Sequence, residues 1–375
     1  MAGSMQMSYR HGLTQPARTM HPREGPFLMR PSRPNHPTAP SASAAAQRLL
    51  LAGLIVCAGG FSACSWFDRT RTTSATSKAP TKADAATTIA KADEARQAGN
   101  TDEAIRLLAE AIEKNPTLTV AHMEIGDLYL EKGNPSEAER HFAQVVQREP
   151  SNFDANYKQG LALQLMNRLS DAVRAYLRAL SIHPDDPQAN FNLATAYLQL
   201  NEGSFALPYA EKAVQVNPSS GPAHANLGAV YASLDRQEDA VREYRSAAEL
   251  MDLTPQLLTN LGDSLGKLGR YQEMASTLEQ AVKTAPSASA YERLGYARFK
   301  LRQWDESQAD FRKSIALDSN YYPALNGLAV CLLNQFITSN KTDEAARVEA
   351  VNLLRRSLKI NRSQNKILDL IQRYQ

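Results

Sequence analysis

Pro116, Pro150, Pro184 and Pro218 recur every 34 residues, and Pro286 lies two further intervals along the chain. No other property restricts the fold so strongly, because self-similarity at this spacing marks a supersecondary unit that is repeated and stacked. Aligning on the prolines brings other positions into phase. Small residues recur at Ala104, Ala138, Ala172, Ala206 and Ala240, at Gly126, Gly160, Ala194, Gly228 and Gly262, and at Ala111, Ala179, Ala213, Ala247 and Ala281. Large apolar residues recur at Phe142, Tyr176, Tyr244, Leu278 and Phe311, and at Tyr129, Leu163, Tyr197, Tyr231 and Leu265. Spacings of three and four inside a unit hold the large residues on one helix face. The small ones let a second helix approach closely, while the large ones are expected to fill the space between one hairpin and the next. Proline after the second helix turns the chain into the following unit. Apolar residues make up 43% of the 375, enough for a substantial core.

The phased residues fall into Leu-Gly-x-x-Tyr blocks: Ile125-Gly126 with Tyr129, Leu193-Ala194 with Tyr197, and Leu227-Gly228 with Tyr231. Each is followed nine residues later by the second-helix alanine. This pattern resembles the tetratricopeptide repeat. The resemblance implies an all-α, right-handed superhelical solenoid of about eight helix–turn–helix units across residues 85–362. The units are 85–118, 119–152, 153–186, 187–220, 221–254, 255–287, 288–321 and 322–362. The first has a weak leading helix, with Lys91, Ala92 and Ala95 at signature positions, and a polar terminal unit is what capping requires. The last carries about nine extra residues near Phe336–Glu349, where Thr338-Ser339-Asn340-Lys341 suggests a longer turn. Pro208 is expected in the first turn of its helix, where a missing N–H is tolerated. Residues 363–375 read as a capping helix with Ile367, Leu370 and Ile371 against the last hairpin.

The N-terminus is of another kind. Residues 1–48 carry six arginines against one glutamate, and an uncharged stretch runs from Leu49 to Ala63. At this length it is too short to span a bilayer as a helix, which needs about 20 residues. A basic region, a short apolar run and small residues at its end make residues 1–63 an export signal. Phe61-Ser62-Ala63-Cys64 resembles the bacterial lipobox, which implies lipidation at Cys64 and retention in the cell envelope. Cys57 fits less well because Val56 precedes it. Ser65, rather than Asp, follows Cys64, and by that resemblance the periplasm-facing outer membrane is favoured. Met20 and Met29 are alternative starts that would shorten the basic region. Residues 65–88 hold ten Ser or Thr, and the segment 64–84 reads as a flexible tether, because it has too few apolar residues to offset its ordering entropy.

Nothing in the sequence assembles a reactive site. His122, His141, His183 and His224 occupy repeat positions and read as packing residues. Three cysteines are too few for a disulfide framework or a cysteine-built zinc site. No metal-ligand motif, phosphate loop or nucleophile elbow occurs. Cys331 lies on an apolar first helix and reads as an inert thiol. No catalytic residue, metal or cofactor is therefore expected, and no small-molecule substrate. Apart from its basic N-terminus the chain is slightly acidic, which disfavours nucleic acid.

The family resemblance implies a concave surface lined by the second, fifth, sixth, ninth, twelfth and thirteenth places of each first helix. Asn192, Asn226 and Asn260 fall at the sixth place of three consecutive units. They resemble the asparagine ladder in the repeats of O-linked N-acetylglucosamine transferases, where amides bond the backbone of an extended peptide. An amide suits that role because it offers a donor and an acceptor together. Gln188, Phe191, Thr195 and Gln199, with Ala225, Ala229, Ser233, Gln256 and Thr259, surround the ladder with small, uncharged groups. The carboxylate clamp of chaperone-binding members is incomplete, since only Asn260 and Arg293 match. Toward the start of the array Glu124, Asp127, Glu131 and Asp154 turn the surface acidic, which suits a partner with one basic end. The sequence thus predicts a lipid-anchored adaptor for a protein or peptide partner. The rival readings are a scaffold that uses the convex face and a regulatory subunit of an envelope glycan enzyme.

Overall fold

The structure, a computed structural model, describes residues 82–375. The export segment 1–63, the lipidation candidate Cys64 and most of the tether lie outside the described residues. Helix α1 begins at Lys82, so the last three residues of the expected tether 64–84 are helical rather than flexible.

Seventeen helices are described, and they pair into eight antiparallel hairpins with one helix over. The hairpins are α1 (Lys82–Gln97) with α2 (Thr101–Lys114), α3 (Thr119–Glu131) with α4 (Pro135–Arg148), α5 (Phe153–Leu165) with α6 (Leu169–Ile182), and α7 (Pro187–Gln199) with α8 (Gly203–Val216). They continue with α9 (Gly221–Ser233) and α10 (Gln237–Leu250), α11 (Pro255–Lys267) and α12 (Tyr271–Thr284), α13 (Ala288–Lys300) and α14 (Trp304–Leu317), and α15 (Tyr322–Thr338) and α16 (Glu344–Ile360). Helix α17 (Asn365–Tyr374) closes the series.

Local chemistry sets the phase. The five first helices from α5 to α13 start on side-chain caps: Asn152, Asp186, Ser220, Thr254 and Ser287 each accept the backbone N–H three residues on. Such caps satisfy amides that the first turn would otherwise leave unpaired. The turn inside each of the first seven hairpins has one left-handed residue, and the last has two, Asn340 and Lys341. Gly99, Gly133 and Gly269 adopt it without a Cβ penalty, while Asn167, Asn201, Asp235 and Arg302 adopt it at φ of 58–62°. After the second helix, the carbonyls of Pro150, Pro184 and Pro218 are held by the fourth residue of the next unit. Asn156 and Asn190 donate Nδ2 at 2.9 Å, and His224 contributes Nε2 at 3.0 Å.

Packing follows a size rule within each hairpin. A Cβ on Gly126 would come within 2.5 Å of the Phe142 ring, one on Gly160 within 2.6 Å of Tyr176, and one on Gly228 within 2.8 Å of Tyr244. The large phased residues therefore lie first against the glycine of their own hairpin, rather than only between hairpins. Phe311 does both, because it also covers Gly327 of the next unit. In the fourth unit both partners are alanine, Ala194 and Ala210, and both are buried.

Two local expectations are corrected. Helix α8 begins at Gly203, so Pro208 sits in its second turn, where it leaves the Ser204 carbonyl without its donor. In the last hairpin the turn is only five residues, 339–343. The extra length went mostly into helix, and α15 and α16 run to 17 residues each. Ile367 and Ile371 of α17 are buried over this hairpin, and Tyr374 meets Phe336 edge-on at 6.4 Å.

Successive first helices touch one another directly from α5 through α15, and no pair of second helices is in comparable contact. The first helices therefore form the tighter rank of an all-α repeat superhelix. No described helix is long and apolar enough to cross a membrane.

Candidate binding face

The first-helix rank presents the sixth place of each unit beside the ninth place of the unit before it. Where the two can pair as donor and acceptor they bond, whereas the carboxylates of Asp93 and Glu124 at the first junction do not. Lys158 Nζ reaches Asp127 Oδ2 at 2.7 Å, Asn226 Nδ2 donates to Thr195 Oγ1 at 2.8 Å, and Arg293 Nε reaches Asp263 Oδ1 at 2.6 Å. Where the ninth place is apolar, the amide turns elsewhere. Asn192 faces Leu161 and donates instead to the Tyr157 hydroxyl at 2.9 Å. Asn260 faces Ala229, and its Oδ1 accepts from Gln256 Nε2 of its own helix at 2.8 Å.

The three asparagines are therefore brought into one rank, each tied at one end. The Thr195 hydroxyl donates to the Phe191 carbonyl at 2.9 Å, so its oxygen can only accept, and this fixes the Asn226 amide. Asn226 Oδ1 is then left enclosed and without a partner. Such an unmet acceptor is uncommon in a folded protein and costs desolvation free energy. Among the described residues, Asn260 Nδ2 also has no protein acceptor. Gln188 is exposed at the start of α7, and Phe191 is half-buried. Gln199 is exposed and accepts from Gln164 Nε2 of α5 at 3.1 Å.

Several groups on this face escape sequence reasoning. Tyr157 is the partner of Asn192, and only the apolar Leu161 hints at that exchange. Glu292, at the fifth place of α13, is 8% exposed and makes no hydrogen bond. Burial pushes its carboxyl up to about 7, with Asp263 adding and Arg293 opposing. Asn326, at the fifth place of α15, donates to Gln364 at 2.7 Å, while its Oδ1 is buried and unpartnered.

The histidines pack as repeat residues. Nδ1 of His122 and Nδ1 of His141 lie 3.1 Å apart across the second hairpin, and burial lowers both, His141 to about 4. His224 takes Glu243 at 2.7 Å in the equivalent place. Cys331 is 2% exposed beside Ser307, and burial pushes its thiol up to about 11. Among the described residues no three metal-ligating side chains converge.

Models of the tetratricopeptide repeat match residues 95–163, 165–201, 191–256 and 259–320, more than half of the chain. The chain is a tetratricopeptide-repeat protein. Its fold is also that of solved structures. The Cut9–Hcn1 hetero-tetramer of the APC/C matches with a TM-score of 0.52 at 18% identity, over 76% of this chain and 55% of that one. A tetratricopeptide repeat protein from Parabacteroides merdae matches at 0.49 and 17%, over 66% and 98%. YrrB, described as a TPR protein with an unusual peptide-binding site, matches at 0.44 and 20%, over 52% and 97%. At these identities the likeness is one of fold alone. No curated protein matches the sequence significantly. A tetratricopeptide-repeat array is a protein-interaction module, and its working part is the surface that stacking builds.

Proposed function

We propose that the array is an adaptor that holds an extended polypeptide segment along its first-helix face. The observation that carries this reading is the state of the three central amides. Each is tied to the array at one end, and Asn260, bonded only to Gln256 of its own helix, keeps its Nδ2 without a protein acceptor among the described residues. An extended backbone offers an N–H and a C=O at every residue, and it can meet acceptors and donors set at regular intervals. Helices α7 and α9 carry no Asp, Glu, Lys or Arg, so this stretch suits uncharged segments. Export and lipidation at Cys64 place the adaptor on the envelope membrane, facing the periplasm from the outer membrane, where it serves assembly of an envelope complex. Tethering raises its effective concentration near membrane clients.

The test is capture of partners from solubilised envelope by the full-length protein and by a triple variant, Asn192→Ala, Asn226→Ala and Asn260→Ala. Loss of the partners from a variant that still melts cooperatively, lowered only by the loss of its interhelix amide bonds, supports the reading; undiminished capture points to the convex face instead. Metabolic labelling with a fatty-acid probe, compared with Cys64→Ser, tests the anchor. Equal labelling of the two proteins removes it.

A further inference from the structure

The uncharged middle of the face is flanked by ends of opposite sign, and the structure separates spent charges from free ones. At the start of the array Asp127 is consumed by Lys158, and Glu131 by Arg96 at 2.9 Å. Asp93 on α1, Glu124 on α3 and Asp154 on α5 have no hydrogen bond or ion pair. Asp93 and Asp154 are exposed. Glu124 is half-buried, and burial together with the carboxylates of Asp93 and Asp127 holds it above the usual carboxylate range. Three like charges thus remain uncompensated at one end.

At the other end the signs reverse. Asp263 is consumed by Arg293, and Glu292 is enclosed. Lys267, at the thirteenth place of α11, is exposed and unpaired. Lys300, at the same place of α13, has no carboxylate; its Nζ lies 5.5 Å and 5.8 Å from the ring centres of Tyr271 and Tyr296. Between these ends helices α7 and α9 carry no Asp, Glu, Lys or Arg, so the two charged ends stand apart.

We propose that the face reads a charge order: it takes an extended segment with a basic end seated on α1–α5, an uncharged middle on α7–α9, and an acidic end on α11–α13. This rests on the reading that the first-helix face binds extended polypeptide, and it adds the chemical class of the partner. Helices packed side by side lie about 10 Å apart, and an extended chain advances about 3.3 Å per residue. Three steps from α5 to α11 therefore need about nine residues. A recognised segment is at least that long, with opposite charges at its two ends.

The experiment is fluorescence polarisation with the full chain in detergent and capped sixteen-residue peptides. The bipolar peptide has two lysines, twelve uncharged Ser, Ala and Thr residues and two aspartates, and it is made in both chain orders. The controls are an uncharged peptide, one with lysines at both ends, one with aspartates at both ends, and one with the same four charges interleaved at its centre. At least one bipolar order should bind about tenfold tighter than the interleaved control, and salt should erase the difference. Replacing Asp93→Asn, Glu124→Gln and Asp154→Asn together should abolish the gain from the lysine end. Lys267→Ala with Lys300→Ala should abolish the gain from the aspartate end. Interleaved or uncharged peptide binding as tightly as the bipolar ones overturns the charge order while leaving peptide binding intact. Failure of every peptide, the uncharged one included, overturns the binding face and the charge order together.

Discussion

In the second unit the enclosed ionisable groups are His122 and His141, whereas in the seventh they are Glu292, which has no hydrogen bond, and Asp310, which pairs with Arg298. Burial acts on all four by the same physics, disfavouring the charged form, but the consequences for histidine and carboxylate run in opposite directions. His141 is lowered to about 4 from 6.5, so acidification through that window protonates the unfolded chain first and weakens the second unit. Glu292 is raised to about 7 from 4.5, so the seventh unit loses stability as pH rises through that window and regains it in acid. A whole-protein melt averages the two slopes. Because stability in a stacked array is near-additive, each unit carries its own pH response and must be read locally.

That contrast can be tested most sharply at Glu292. Glu292→Gln should stabilise α13 and α14 by about 3 kcal/mol at most at pH 8 and by little at pH 4.5, as read by hydrogen exchange of those helices. His141→Gln should flatten the acid sensitivity of α3 and α4 and leave α13 untouched. If both regions move together, the array is one cooperative block and the comparison fails. Next in size is the ionic pair beside Glu292. Asp263→Ala should cost about 1 kcal/mol. It should also shrink the Glu292 slope, because the Arg293 guanidinium is then free to serve that carboxyl; denaturant melts at pH 5 and pH 8 provide the check.

Smaller effects distinguish the central amides. Asn226→Ala removes a bond between helices and should cost about 1 kcal/mol, whereas Asn260→Ala, whose partner lies on its own helix, should cost less than about 0.5 kcal/mol. If peptide affinity falls for Asn260→Ala while stability does not, the open amide is used for binding. The smallest change builds a bond. Ala229→Thr gives Asn260 the acceptor that Thr195 gives Asn226, and should add about 0.5 kcal/mol in a thermal melt while weakening peptide capture.

The period alone told most of the architecture, because prolines, alanines and glycines at fixed spacing encode hairpins whose helices start on caps such as Asp186 and Ser220. Details that depend on a residue in a different unit were hidden. Asn192, Asn226 and Asn260 look alike in sequence, yet Leu161, Thr195 and Ala229, 31 residues earlier in each case, decide what each amide does. The approach of His141 to His122 and the isolation of Glu292 likewise arise from packing between helices, where composition is silent. Pro208 was misplaced by one turn because a helix start cannot be fixed from Glu202-Gly203-Ser204 without its cap geometry. The nine-residue excess looked like a loop because Thr338–Lys341 are polar, although Ile337 and Glu344 sit in helices that simply run on.

The last helix bears on how far such an assembly can grow. A stack of hairpins ends in an apolar wall that would welcome another copy, and head-to-tail growth without closure yields fibres. By laying Ile367 and Ile371 across that wall, α17 uses up the sticky terminus within the same molecule. Removing residues 364–375 should therefore expose that wall and promote association between copies of the array, read as faster sedimentation.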